Sequence, residues 1–214
     1  MKVVISGPTG AIGMALLNYC VSQKEEVLLL CHKESERQKQ IPSHPLIKVI
    51  YVDLEEYQNI DNLTENEWDI FYHFAWKGTI GSARNEVNIQ LNNVKYTLEA
   101  VSLAKRLGCK TFIGAGSQAE YGRTEEKLSG DTPVFPDNAY GIAKLAAGQM
   151  SRLLCEQLGM RHIWIRILSI YGPYDGKQSM VMSAIKQLLE KEPTTFTKGE
   201  QQWDYLYSKD AARA

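Results

Sequence analysis

A chain of 214 residues, 44% of them hydrophobic, is long enough to bury the core of one α/β domain, or of one domain and part of a second. A formal net charge of −1 argues against an electrostatic role on nucleic acid or on a membrane surface. Cys20, Cys31, Cys109 and Cys155 lie far apart; neither a disulfide framework nor a zinc site is expected, and a reducing cytoplasm is the simpler location.

The chain opens Met1-Lys-Val-Val-Ile-Ser-Gly7, directly into a strand. It shows no signal-peptide pattern and no apolar run of bilayer-spanning length. Apolar β-type runs recur at 3–5, 27–30, 47–52, 70–73, 111–113 and 162–167. Continuous runs of this kind suit strands covered on both faces. Helical spacing falls between several of them, at 10–23, 88–107 and 140–158, the last two closed by Gly108 and Gly159. The alternation predicts an α/β fold built on a doubly wound parallel sheet of Rossmann type. Residues 124–137, largely polar with Pro133 and Pro136, read as a loop over the carboxyl edge of that sheet. Residues 179–191 read as a helix, 193–207 as short strands and turns, and 208–214 as the start of another helix. The expected division is a dinucleotide-binding domain, 1–168, and part of a substrate-binding lobe, 169–214, which the natural chain is expected to continue.

Gly7-Pro-Thr9-Gly10-Ala11-Ile12-Gly13 follows the first strand and opens the first helix. That context suits a dinucleotide cradle. Gly7 permits the tight turn, Gly10 lets the backbone approach a pyrophosphate, and Gly13 lets the helix pack against the strand. The unpaired N–H groups at the helix start then face the anion. An ordinary βα turn is the competing reading. Asp53 and Leu54 follow the third strand, where Asp53 can meet the adenine amino group or simply cap a turn. The second strand runs into Cys31-His32-Lys33-Glu-Ser-Glu-Arg37. No acid stands at the strand end to hold a ribose diol. Lys33 or Arg37, with His32 beside them, can meet a 2′-phosphate, so both NAD and NADP remain open, with a slight lean to NADP, since a charge run of this kind is more often only a solvated turn.

Tyr140 and Lys144 stand four apart on an expected helix and share one face. A tyrosine of pKa about 10 is a poor base at neutral pH. An ammonium about 4 Å away at intermediate dielectric attracts the phenolate by roughly 4 kcal/mol, about 3 pKa units before desolvation is subtracted. Ser117, at the end of the fifth strand, would hydrogen-bond the same substrate oxygen, and Lys144 would also hold the nicotinamide ribose. Such pairs and serines occur by chance; their combination with the glycine triplet points to hydride chemistry on an alcohol or ketone.

With these motifs the chain resembles the extended short-chain dehydrogenase/reductase family, the nucleotide-sugar epimerases and dehydratases. His73-Phe74-Ala75 resembles the strand-end segment beside the cofactor, with Trp76 following. Asn93-Val-Lys-Tyr-Thr97 is similar to the helix whose asparagine supports the active site. Ser117-Gln-Ala-Glu-Tyr121-Gly122 resembles the serine turn, and Pro136-Asp-Asn-Ala-Tyr140-Gly-Ile-Ala-Lys144 the start of the catalytic helix. Ser169-Ile-Tyr171-Gly172-Pro173 and Trp203-Asp204-Tyr-Leu-Tyr207-Ser-Lys-Asp210 resemble late segments of the family. The resemblance implies a nicotinamide cofactor, a nucleotide-sugar substrate, and a homodimer formed through the helices at 88–107 and 140–158.

Three departures bear on the substrate. Family dehydratases carry Asp-Glu after the serine or threonine, where Gln118 and Ala119 stand here, which disfavours a 4,6-dehydratase. Ser169 replaces the family's asparagine before Tyr-Gly-Pro, and Trp203 replaces an arginine that meets the diphosphate. Gln118, Ala119, Ser169 and Trp203 are nonetheless expected to line the substrate site. Trp76, Lys77 and Thr79 follow the cofactor strand, where they line the sugar pocket or form a surface loop. The expected activity is that of an NAD(P)-dependent epimerase or ketoreductase on a nucleotide sugar. The alternatives are a non-catalytic cofactor sensor of the same fold and a carbonyl reductase acting on a non-sugar substrate.

Overall fold

Six of the apolar runs become strands of one sheet: β1 (Lys2–Ser6), β2 (Glu26–Cys31), β3 (Ile47–Tyr51), β4 (Ile70–His73), β5 (Thr111–Ser117) and β6 (Arg161–Ile167). The computed structural model describes residues 1–60 and 67–214. The strands lie in the order β3-β2-β1-β4-β5-β6, with every neighbouring pair parallel. Strand order reverses direction at β1 and β4, which opens a crevice at their carboxyl ends, the usual ligand position of a doubly wound sheet.

Both faces of the sheet are covered, which is why its strands read as unbroken apolar runs. On one face Val3, Ile5, Val27 and Leu29 pack against Met14, Leu17 and Cys20 of α1 (Ala11–Ser22). On the other, Val4, Leu28, Phe71 and Phe112 pack against Ala100, Val101, Leu103 and Ala104 of α2 (Val87–Arg106). The helix α3 (Ala139–Gln157) lies beside α2, joined to it through Val94, Ala143 and Ala147. Asn138 caps α3, its side-chain oxygen accepting the Gly141 N–H at 2.9 Å. The later residues form α4 (Met180–Leu189), α5 (Ser208–Ala211), and a two-stranded parallel sheet of β7 (Ser169–Tyr171) and β8 (Tyr205–Tyr207). Ala212, just past α5, packs against the α1 side of the core.

The strand β5 runs on to Ser117, past the apolar run that ends at Ile113. The extension contains Gly114 and Gly116, poor strand formers on propensity alone. The reason for them is Trp164 of β6. A Cβ on Gly114 would overlap its indole, one on Gly116 would stand 2.5 Å from its Nε1, and one on Gly148 of α3 would stand 2.7 Å from its Cε2. The indole is also stacked on His162 at 6.1 Å, and His162 on Phe112 at 6.1 Å. Three glycines from two elements thus form a slot for one aromatic ring. The Gly148→Ala substitution should destabilise the protein by about 1–3 kcal/mol through overpacking, measured by urea denaturation. Adding Trp164→Leu should make the double variant lose less than the sum of the two single losses; simple additivity would refute the slot.

Candidate functional site

The turn between β1 and α1 is built from three glycines with three different constraints. Gly7 has φ +74°, and a Cβ there would stand 2.6 Å from the Ala75 backbone nitrogen where the chain leaves β4. A Cβ on Gly13 would stand 2.6 Å from the Gly7 carbonyl oxygen, so this glycine lets the helix close on its own turn rather than on the strand. Around Gly10 the corresponding space is open. Gly10 is also the N-cap of α1, without a side-chain cap and without an acid in the first turn, which begins Ala11-Ile12. A helix start whose N–H groups lack side-chain partners, facing open space beside Thr9, fits a bound pyrophosphate.

His32, Lys33 and Asp53 meet at the ends of β2 and β3. Asp53 Oδ1 accepts the Lys33 N–H at 3.1 Å and lies 3.5 Å from His32 Nε2. Asp53 caps the short 3₁₀ turn Leu54–Asn59 through a capping box with Glu56. Leu54 itself is buried. The Lys33 ammonium is paired with Glu56 Oε1 at 2.5 Å. Arg37 stands exposed on a separate 3₁₀ turn, Glu36–Gln40.

Beneath the crevice, Ser6 Oγ is shared between Tyr57 at 2.9 Å and His73 Nδ1 at 3.1 Å, and Thr97 approaches the other ring nitrogen of His73 at 3.5 Å. Burial, reinforced by the Lys144 charge, pushes His73 down to about 3, so it stays neutral. The chain leaving β4 is clamped by two buried amides one turn apart on α2. Asn93 accepts the Lys77 N–H at 2.9 Å and donates to the Lys77 carbonyl at 2.8 Å. Gln90 accepts from Trp76 Nε1 at 2.9 Å and donates to the carbonyls of Gly78 at 2.8 Å and Ala83 at 3.0 Å.

Ser117 ends β5 as the N-cap of a 3₁₀ turn, its hydroxyl accepting from the Ala119 N–H at 3.2 Å. Glu120 is fully buried. Its carboxylate accepts the Ser117 N–H at 2.7 Å, Trp164 Nε1 at 3.1 Å and Arg166 Nε at 2.9 Å. A buried carboxylate so supplied with donors holds the serine turn rigidly against β6.

Tyr140 lies in the first turn of α3, 9% exposed, with Trp76 edge-on at 6.0 Å and the Arg84 guanidinium 4.0 Å from its ring centroid. Burial pushes its phenol above the ordinary value; hydrogen bonding by Ser117 and the charge of Arg84 pull it down, and the Glu120 carboxylate pushes it up. Lys144 is on the same helical face, yet its ammonium donates to the Ala115 carbonyl at 2.6 Å and sits 3.6 Å over the Trp76 ring. It stands 5.7 Å from the Tyr140 ring centroid. Burial lowers its pKa to about 7, against the raising effect of Glu120. The spacing of the two residues predicts a lysine that acidifies the phenol. In the protein without cofactor, desolvation outweighs that attraction for both groups and favours their neutral forms.

A cleft of about 440 Å³ opens beside Ser117, lined by Gln118, Ala119, Arg84, Asn138, Ser169 and Trp203 among others. Trp203 Nε1 donates to Ser169 Oγ at 2.5 Å, so the two late positions are tied to each other across this cleft. Lys77 is not among its lining residues; its ammonium is paired with Glu55 of the 3₁₀ turn that Asp53 caps. Phe74 continues β4 by donating its N–H to the Ser6 carbonyl at 2.9 Å. Arg84, Gln90 and Glu120 are additions that the sequence reading passed over. Gln90 was within reach, one helical turn before Asn93, and so was Glu120, which stands at capping-box spacing from Ser117; Arg84 carried no spacing signal.

The depressed lysine has a consequence for stability. Its pKa falls from 10.5 to about 7 on folding, so above pH 7 the unfolded chain holds a proton that the folded chain has released. Stability should therefore rise with pH from about 7, read below about 8.5 where cysteine thiols begin to titrate. Thermal unfolding of Lys144→Met should lose this rise; an identical pH slope in the variant would refute the assignment.

A dTDP-4-dehydro-6-deoxyglucose reductase of Escherichia coli is 26% identical over 226 residues, spanning 99% of this chain and 70% of that protein. An uncharacterised UDP-glucose epimerase of Bacillus subtilis is 25% identical over 148 residues, 68% of this chain and 47% of that protein. The crystal structure of a UDP-glucuronic acid 4-epimerase from Bacillus cereus in complex with NAD shares the fold, with a TM-score of 0.84 and 22% identity over 100% of this chain and 71% of that one. The chain thus spans about half the length of the first of the Bacillus proteins and about 70% of the other two. The glycine turn, the Ser117 turn and the start of α3 all fall within residues 3–214, which match the NAD-dependent epimerase/dehydratase family, and the chain belongs to that family.

Proposed function

We propose that the protein is an NAD(P)-dependent epimerase or ketoreductase acting on a nucleotide-activated sugar, with Tyr140, Ser117 and Lys144 as its catalytic group. The observation that carries this reading is the convergence of Ser117 from β5 with Tyr140 and Lys144 from α3, beside an open cleft and at the same carboxyl edge of the sheet as the glycine turn after β1. The dinucleotide, when bound, supplies the hydride acceptor or donor. Tyr140 takes the hydroxyl proton when a sugar carbon is oxidised and returns it when a ketone is reduced. Ser117 orients the reacting oxygen. Lys144, already hydrogen-bonded to the Ala115 carbonyl, holds the ribose hydroxyls and moves protons through its near-neutral pKa.

Gln118 and Ala119 offer no acid–base pair beside Ser117 to expel water, which supports epimerisation or ketone reduction over dehydration. The names of two relatives, a UDP-glucose epimerase and a dTDP-keto-sugar reductase, support the same two reactions. The expected outcome for Tyr140→Phe is a loss of turnover of at least about 100-fold, with cofactor binding retained. Redox turnover of a panel of nucleotide sugars, read through cofactor absorbance and product analysis, measures this. Full activity in the variant would remove Tyr140 from the mechanism.

The cofactor is NAD or NADP, and the leaning to NADP now rests on Arg37. Lys33 is committed to Glu56 and His32 to Asp53, whereas Arg37 has no carboxylate partner among the described residues. Arg37→Ala should weaken NADP binding about tenfold and leave NAD binding unchanged, since one charge-assisted contact to a phosphate is worth roughly 1.4 kcal/mol. Titration calorimetry with each cofactor reads the difference. Equal effects on both would mean that Arg37 does not meet the 2′ position.

A further inference from the structure

We propose that Arg84 is a further cation that stabilises the ionised form of Tyr140, acting beside Lys144 and more strongly than it in the protein without cofactor. The proposal rests on the reading of Tyr140 as the proton-transfer group. Its guanidinium carbon lies 4.0 Å from the centroid of the Tyr140 ring, over the ring face. A phenolate spreads negative charge into that ring, so a cation there is attracted more strongly to the ionised form than to the neutral one. Lys144, in contrast, spends its ammonium on the Ala115 carbonyl at 2.6 Å and on the Trp76 face at 3.6 Å.

The placement of Arg84 is built into the fold. It sits on the 3₁₀ turn Ser82–Asn85, and its own guanidinium donates to the Thr79 carbonyl at 3.0 Å. The buried Gln90 holds the turn from α2 by donating to the Ala83 carbonyl at 3.0 Å. Asn85 Oδ1 accepts the N–H of Ala139, the residue before Tyr140, at 3.3 Å. The turn is thus fastened to both helices that frame the ring. Arg84 has no ion-pair partner among the described residues, so its charge is not neutralised locally.

The other charged groups facing the phenol do not replace it. Glu120, from the serine turn, opposes ionisation and is itself paired with Arg166 at 2.9 Å. Lys144 faces it from α3 at 5.7 Å from the ring centroid. Arg123, across the cleft, is paired with Asp137 at 3.5 Å. Arg84 lowers the phenol's pKa by both charge and hydrogen bonding.

The test replaces Tyr140 by a fluorinated tyrosine, whose phenol ionises at lower pH, and follows its titration by fluorine NMR in the protein without cofactor. Three backgrounds are compared: Arg84→Gln, Arg84→Lys and Lys144→Met. Arg84→Gln should move the titration up by about one pH unit or more, a tenfold loss of phenolate at a given pH. Arg84→Lys, which keeps the charge and guards against a folding defect, should move it less. Lys144→Met should also move it less than Arg84→Gln. An unmoved titration in Arg84→Gln, or a larger shift in Lys144→Met, overturns the proposal. The titration needs no substrate. If it moves as expected while no nucleotide sugar is turned over by the unmodified protein, the coupling stands and the functional reading fails instead.

Discussion

The separation between α3 and β5 decides whether a serine at a strand end can meet a tyrosine at a helix start. That separation is set by missing side chains. Gly148 on the helix and Gly114 and Gly116 on the strand leave a slot that the Trp164 ring fills. Any of the three with a methyl group would push the helix, the strand or the ring outward, and interiors packed to crystal density transmit such shifts rather than absorb them. The same approach lets the Lys144 ammonium reach the Ala115 carbonyl across the interface. Core packing and site geometry are therefore one problem in this region, and the glycines belong to both.

Buried polar groups carry the positional information that apolar packing alone does not. Glu120 ties the backbone of the serine turn to Trp164 and Arg166 on β6. Gln90 and Asn93 tie the chain after β4 to α2. Each of these side chains is buried with its partners in place. Leaving any one unpartnered would cost about 1–3 kcal/mol, so the loops they hold have few alternatives of comparable energy. Loops that meet the reacting atoms are thereby given the rigidity of the sheet that supports them.

Much of this was legible in the chain because the features concerned are local. The six apolar runs become the six strands, and the glycine turn lies where its neighbours in sequence put it. What escaped depends on partners distant in sequence. The extension of β5 through Gly114 and Gly116 makes sense only once Trp164 is seen to lie on them. Lys77 looked free to reach a substrate because nothing nearby in sequence marks Glu55 as its partner. Arg84 and Tyr140 belong to different elements, and no spacing rule joins them. Gly13 kept its expected role as a close-contact glycine, but against the turn of Gly7 and Pro8 rather than against the strand.

Electrostatics is where local reasoning stops short. In water a phenol and an ammonium have similar proton affinities, with ordinary values of 10.0 and 10.5. One helical turn of separation suggests an attractive pair that favours phenolate and ammonium together. Burial acts on each group separately and penalises both charged forms, which raises one affinity and lowers the other. Without cofactor, the proton accordingly resides on Tyr140, and Lys144 is poised near neutrality, at about 7. A phenol in that condition gives up its proton only when charge is placed against it from outside the helix. The surrounding elements supply that charge unequally: the serine turn brings the carboxylate of Glu120, and the turn before α2 brings the guanidinium of Arg84. On the proposed reading, the balance between those two turns adds to the lysine's place along α3 in deciding how readily the hydroxyl of Tyr140 ionises.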